Sequence, residues 1–266
     1  VPPAGPLITL LTDFGDRDWF VASMKGVILS IHPEARLVDL SHQVTPHQIH
    51  DAAYLLKSCY RYFPDGTIHV SVVDPGVGGA RRPLLMSTSR YHFLAPDNGL
   101  LTYVMEEEER VEIRHIENRR YRLEAEGATF DGRDLFAPAA AQLAKGEPAA
   151  SFGPLIGDPI RLDLQGPLRQ NQRVVGRIVY VDRFGNLISN ITAKQVRECL
   201  TAGRSLTIRV GDRVIDGLVG SYSEGSSERP HALINSNGYV EIFLKEGSAA
   251  ERFGVRPGAA VDCSAA

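Results

Sequence analysis

From Leu7 the sequence alternates short apolar runs with amphipathic stretches, and a sheet flanked by helices is the architecture that buries both. Leu7 to Phe14 is a β-rich apolar run that stops at Gly15, as a buried strand does. Phe20, Met24, Val27, Ile28 and Ile31 then share one helical face, and Pro33 closes the pattern. Arg36 to Leu40 predicts a strand, Ile49 to Tyr60 a helix with Ile49, Ala53, Leu56 and Tyr60 in register, and Thr67 to Val73 a further strand. Leu84 to Ser87 and Tyr91 to Leu94 add two strands, and an alanine-rich helix is expected from about Leu135 to Leu143. This order predicts an N-terminal α/β domain over residues 1–160 with a mostly parallel sheet.

The texture changes after Ser151. Residues 151–172 hold three Pro and three Gly with no clear period, the composition of a linker. Beyond it come short β segments separated by Gly, Asp, Asn and Ser: Val174 to Val181, Leu187 to Ile191, Leu206 to Val210, Val214 to Val219, His231 to Ile234 and Tyr239 to Phe243. That spacing predicts a smaller C-terminal β-barrel domain over residues 161–266. The expected fold class is therefore α/β, with a β-barrel appended.

The 29 Lys and Arg against 32 Asp and Glu leave a net charge of -3, too balanced for a protein whose main ligand is nucleic acid. No apolar run approaches the ~20 residues that span a bilayer, and the start Val-Pro-Pro-Ala-Gly-Pro lacks the features of a secretory leader. Cys59, Cys199 and Cys263 show neither metal-site spacing nor an even-numbered disulfide framework. A reducing, cytoplasmic setting is the expectation.

Open α/β sheets bind ligands at the carboxyl ends of strands. Three polar clusters fall at such places: Thr12-Asp13-Phe14-Gly15, Asp74-Pro75-Gly76-Val77-Gly78 with Arg81 and Arg82, and Asp97-Asn98-Gly99; a fourth, Thr129-Phe130-Asp131-Gly132-Arg133-Asp134, stands before the last helix of this domain. Singly, each reads as a turn or a helix cap. Together they suggest a site in which Asp74 and Arg81 form an ion pair across a glycine-rich loop. Asp182-Arg183-Phe184-Gly185-Asn186 offers a carboxylate, an aromatic face and an amide within five residues, a set suited to an amino group and a purine. His42, His47 and His50 lack the spacing of a zinc site, and neither a Walker loop nor a Gly-x-Ser-x-Gly elbow is present. What remains is noncovalent chemistry by carboxylates, arginine and bound water, with no metal and no cofactor expected.

In this order the motifs resemble the S-adenosylmethionine hydroxide adenosyltransferases, relatives of the fluorinases and chlorinases. The likeness runs from Leu7 to about Phe253 and includes Val72 to Gly78, Ala95 to Gly99, Gly132-Arg133-Asp134 with Phe136-Ala137-Pro138, and Asp182 to Asn186. It implies a homotrimer whose sites lie between the N-terminal domain of one subunit and the C-terminal domain of the next. It also implies that S-adenosylmethionine is the substrate, cleaved by water to adenosine and methionine. Asp74 and Arg81 match the first two members of the family's Asp, Arg and His triad. The third position, in the family pattern Thr-Phe-His-Gly-Arg-Asp, is here Asp131.

An ionised carboxylate cannot donate a hydrogen bond as imidazole can. Asp74, Arg81 and Asp131 alone carry a formal charge of about -1, which favours a cationic sulfonium and disfavours an attacking halide. By the same resemblance Asp13 matches the ribose carboxylate, Asp182 and Ser236 the groups on the methionine amine and carboxylate, and Asn186 the adenine amide. Phe184 and Tyr222 match aromatics packed on the base, and His47 falls where halogenating relatives carry a Trp. Three readings stay open: a hydrolase, a binding protein disabled by Asp131, and a halogenase.

Overall fold

The computed structural model describes residues 6–199 and 205–265. By its contacts the chain forms two compact units, divided between Asp163 and Leu164. The first contains β1 (Leu7–Thr12), α1 (Phe20–Ile31), β2 (Arg36–Ser41), α2 (Ile49–Cys59), β3 (Ile68–Val72), β4 (Pro83–Ser87), β5 (His92–Pro96), α3 (Thr102–Glu107), β6 (Glu112–His115) and α4 (Ala137–Ala144). Its sheet runs β2-β1-β3-β5-β4-β6. β1 is parallel to β2 and β3, and β3 to β5, whereas β4 is antiparallel to β5 and β6. The sheet is thus mostly parallel, with a local cause for its antiparallel edge. The turn between β4 and β5 is closed by Thr88 Oγ1, which accepts from the amides of Arg90 and Tyr91 at 3.2 and 3.0 Å; so short a link cannot cross over to make a parallel pair.

The pleat sends alternate residues to opposite cores. Ile8 and Leu10 of β1 join Met24, Ile28 and Phe136 on one face, while Leu11 joins Leu56, Tyr60 and Phe93 on the other. Helices therefore cover both faces, which is why the central strand β3 is buried along its whole length. β1 ends at Thr12 and not at Phe14, because Thr12 Oγ1 accepts from the Phe14 amide and Gly15 turns the chain at φ 68°. The alanine-rich helix begins at Ala137, with Pro138 in its first turn, and a π-helical turn at Gly132–Phe136 leads into it. α3 and β6 lie outside the sequence expectation, being six and four residues long, too short to show a period.

The second unit is antiparallel. It comprises β7 (Leu168–Gln170), β8 (Arg173–Val181), β9 (Leu187–Thr192), α5 (Ala193–Cys199), β10 (Leu206–Val210), β11 (Arg213–Asp216), β12 (His231–Ile234), β13 (Tyr239–Phe243), α6 (Ala249–Phe253) and β14 (Ala260–Ala265). The strands run β11-β10-β14-β8-β9-β13-β12, with β7 on β8. The two ends of this order, β11 and β12, contact each other, so the sheet is nearly closed and barrel-like. The strand expected at Val214 to Val219 stops at Asp216: Gly217 turns at φ 70°, and the Val219 amide donates to Ala232 O at 2.9 Å. Among the described residues no helix is long and apolar enough to cross a membrane.

Candidate active site

The chain leaves β3 at Val72 and places Asp74 just beyond the carboxyl end of the parallel sheet. The loop that follows brings Arg81 back onto it. Arg81 Nε and Nη2 both donate to Asp74 Oδ2, at 2.8 and 2.5 Å, and Nη2 also donates to Asp131 Oδ2. The side chains are almost buried, Arg81 at 11% exposure and each carboxylate at 4%. Burial works against the Arg81 cation, but the hydrogen bonds and charges of Asp74 and Asp131 outweigh it and raise its pKa. Because both Arg81 donors converge on Oδ2, Asp74 Oδ1 is left buried with no protein partner. Buried acceptors are seldom unpaired, so this oxygen is where a proton-bearing ligand or water belongs.

Two local devices bring Asp131 to this loop. Gly78 adopts φ 77°, and a Cβ there would lie 2.6 Å from Ala128 O, so the loop and the segment entering Asp131 approach as only glycine permits. Phe130 O then accepts from the amides of Arg133 and Asp134 at 3.1 and 3.0 Å, fixing the turn that Asp131 opens. Turns of this π-helical kind recur at functional sites. Asp131 Oδ1 accepts from Arg122 Nη2 at 2.7 Å. Arg122 was not among the residues singled out by sequence, since no motif or period marks its segment. It changes the electrostatics: with two carboxylates and two guanidiniums the cluster sums to zero formal charge, not to the negative charge expected from Asp74, Arg81 and Asp131 alone.

Asp13 lies one residue past β1, and its Oδ2 accepts from the His47 amide at 2.9 Å. His47 itself takes a positive φ of 66°, an uncommon conformation for a non-glycine residue. Next to Asp13, Phe14 packs edge-on against Phe130 at 5.7 Å, which ties this corner to the residue preceding Asp131. Trp19 and Phe20 complete the aromatic cluster, and the Arg133 guanidinium lies 5.3 Å from the Phe130 ring. Arg133 also binds Asp134.

Asp97 and Asn98 hold the scaffold. Asp97 accepts from Arg82 Nε and from the Ile160 amide, both at 2.8 Å, and Arg82 continues to Asp158. Asn98 Nδ2 donates to Val73 O at 2.9 Å, bracing the backbone next to Asp74. His42 shares a hydrogen bond with Thr12 Oγ1 at 2.8 Å and faces Asp39 at 3.0 Å. Among the described residues no group of three or more His, Cys, Asp or Glu is arranged to hold a metal ion.

The remaining candidates lie in the second unit. Asp182 Oδ1 accepts from the amides of Phe184 and Asn186, both at 2.9 Å, and Oδ2 accepts from Asn186 Nδ2 at 2.8 Å. Gly185 turns this loop at φ 80° where a Cβ would strike Ser248 Oγ at 2.1 Å. Phe184 is left 76% exposed. Tyr222 donates to the buried Glu241 Oε1 at 2.5 Å, and Asn235, next to Ser236, donates to Glu241 Oε2 at 3.1 Å. Burial first, then the Glu241 and Asp182 carboxylates, push the Tyr222 phenol well above its ordinary pKa. Tyr222 and the turn that holds Ser236 are thus linked through Glu241, while the hydrogen bonds of Asp182 given above stay within its own loop. Glu241 was not anticipated: it lies on the face of β13 opposite the core residues Val240 and Ile242, where an acidic residue is an ordinary choice in sequence.

The chain matches family models in both units: the SAM hydroxide adenosyltransferase N-terminal domain over residues 8–153 and the corresponding C-terminal domain over residues 176–262. It is 34% identical to the (R)-S-adenosyl-L-methionine hydrolase of Thermus thermophilus, over 94% of this chain and 96% of that one. The hydrolase of the same name from Methanocaldococcus jannaschii is also 34% identical, over 89% of this chain and 87% of its own length. Among solved structures, an uncharacterized conserved protein from Thermotoga maritima superposes with a TM-score of 0.89 at 32% identity, covering 97% of this chain and 99% of the other.

Proposed function

The chain belongs to the S-adenosylmethionine hydroxide adenosyltransferase family, and on that premise we propose that it cleaves S-adenosylmethionine with water to adenosine and methionine. The observation that carries the reading is the buried, unpartnered Asp74 Oδ1 beside Arg81. Arg81 holds the other oxygen of Asp74 and fixes the carboxylate's orientation, so Oδ1 faces a water as acceptor. The sulfonium is already an activated leaving group, so alignment of water, the 5′ carbon and sulfur does most of the work. Water adds its oxygen to the 5′ carbon as the carbon–sulfur bond breaks. The bonding pair leaves with sulfur, giving the thioether of methionine, and the water's proton passes to Asp74 Oδ1. No metal or cofactor enters this scheme.

In this reading Asp131, both of whose oxygens accept from arginines, steadies Arg81 at Nη2, the nitrogen that also donates to Asp74. Asp13 takes the ribose hydroxyls, Asp182 and Ser236 the amino-acid end, and Asn186, Phe184 and Tyr222 the adenine; family similarity supports these roles. It also supports a homotrimer in which the first unit of one copy faces the second unit of its neighbour. The three free thiols suit a reducing, cytoplasmic setting.

Purified protein is expected to release adenosine and methionine in equal amounts from S-adenosylmethionine. Arg81→Ala is expected to lower turnover by at least about a hundredfold while changing substrate affinity, measured by calorimetry, far less. Tight binding by the unmodified protein with no products would favour the binding-protein reading instead.

A further inference from the structure

Two carboxylates buried on one guanidinium leave an uncompensated negative charge, a costly arrangement unless a second cation joins. Arg122 is that cation, and its placement is built by the backbone on both sides. Before it, Tyr121 is buried and stacked on Phe152 at 4.2 Å, its hydroxyl bonded with Glu147 and Ser151 at 3.1 and 2.7 Å. After it, the Leu123 amide donates to Asp134 O at 2.8 Å, which lays the chain alongside the very turn that Asp131 opens. The guanidinium is thus delivered to Asp131 Oδ1 by fixed neighbours, although its own side chain is 38% exposed.

We propose that Arg122 is a positioning residue for the reaction, acting through Asp131 to free Arg81 for Asp74; this rests on the hydrolytic reading above. With Arg122 present, Arg81 shares its Nη2 between two carboxylates while its Nε stays on Asp74. Without it, Arg81 is the cation left on Asp131 among the described residues, and the guanidinium is drawn from Asp74, whose free oxygen then loses its aim. The added negative charge does not repel a sulfonium substrate. The loss therefore falls on turnover and not on binding.

The test is a cycle of Arg122→Gln, Asp131→Asn and the double variant, with kcat, KM and thermal unfolding measured for each. Arg122→Gln is expected to lower kcat about tenfold with KM within about twofold in the unmodified protein, and to lower it far less in the Asp131→Asn background, whatever kcat Asp131→Asn itself has. Effects that simply multiply, or an Arg122→Gln enzyme with unchanged kcat, would overturn the proposal. If the unmodified protein binds S-adenosylmethionine without cleaving it, the hydrolytic reading fails and the positioning role fails with it. The unfolding cycle then separates the two causes: coupled Tm shifts would show the ion pair intact and fault only the reaction, whereas additive shifts would fault the pairing itself.

Discussion

Asp74 and Asp131 hang on the same Arg81 nitrogen, so a displacement of either carboxylate is transmitted to the other. What keeps them in register is backbone. Gly78 permits the approach to Ala128 O, and a methyl group there meets an atom that cannot give way, at a φ that L residues disfavour. Gly78→Ala is therefore expected to cost at least about 1 kcal/mol of stability and to reduce turnover more than the stability loss explains, because it pushes the Asp74 loop from Asp131. Chemical denaturation beside steady-state kinetics checks this; a variant of unchanged stability and turnover would mean the loop is not held by this contact. In the second unit Asp182 is spent largely on its own loop, which presets the exposed Phe184 before any ligand arrives.

At the scale of elements, β3 does two things. Its end delivers Asp74, and its middle buries His69, which shares a hydrogen bond with Thr9 Oγ1 at 2.7 Å and stacks on Phe93 at 5.0 Å. Burial pulls the His69 pKa down to about 3 from an ordinary 6.5. In this range the unfolded chain binds the proton more readily than the fold does, so stability is full above about 6.5 and falls as pH drops toward 3, by about 4 kcal/mol at the limit. His69→Phe is expected to flatten that acid limb in denaturant titrations between pH 6.5 and 4; parallel limbs for the two proteins would contradict it. The element pattern was largely legible from sequence, because β1, α1, β2, α2 and β3 are long enough for their apolar period to show. β14 was not: its Ala, Asp, Cys and Ser are weak strand formers, and it becomes a strand by lying between β10 and β8. Asp74 and Arg81 were legible as a pair spanning one loop, whereas Arg122 and Glu241 meet their partners through tertiary folding that no local spacing encodes.

Across the whole molecule the candidate residues divide between the units: Asp13, Asp74, Arg81, Arg122 and Asp131 in one, and Asp182, Phe184, Asn186, Tyr222 and Ser236 in the other. The first set carries the carboxylates and guanidiniums of the proposed chemistry, and the second carries aromatic and amide groups suited to recognition. The proposed activity comes down to a single chemical event, transfer of a water oxygen to the ribose 5′ carbon. The most direct measurement is mass spectrometry of the products after incubating the purified protein with S-adenosylmethionine in oxygen-18 water, with and without chloride. Hydroxide transfer gives one heavy oxygen in adenosine, none in methionine, and no halogenated nucleoside at any chloride concentration; unlabelled adenosine, or a chlorinated product that grows with chloride, would overturn the hydrolytic reading.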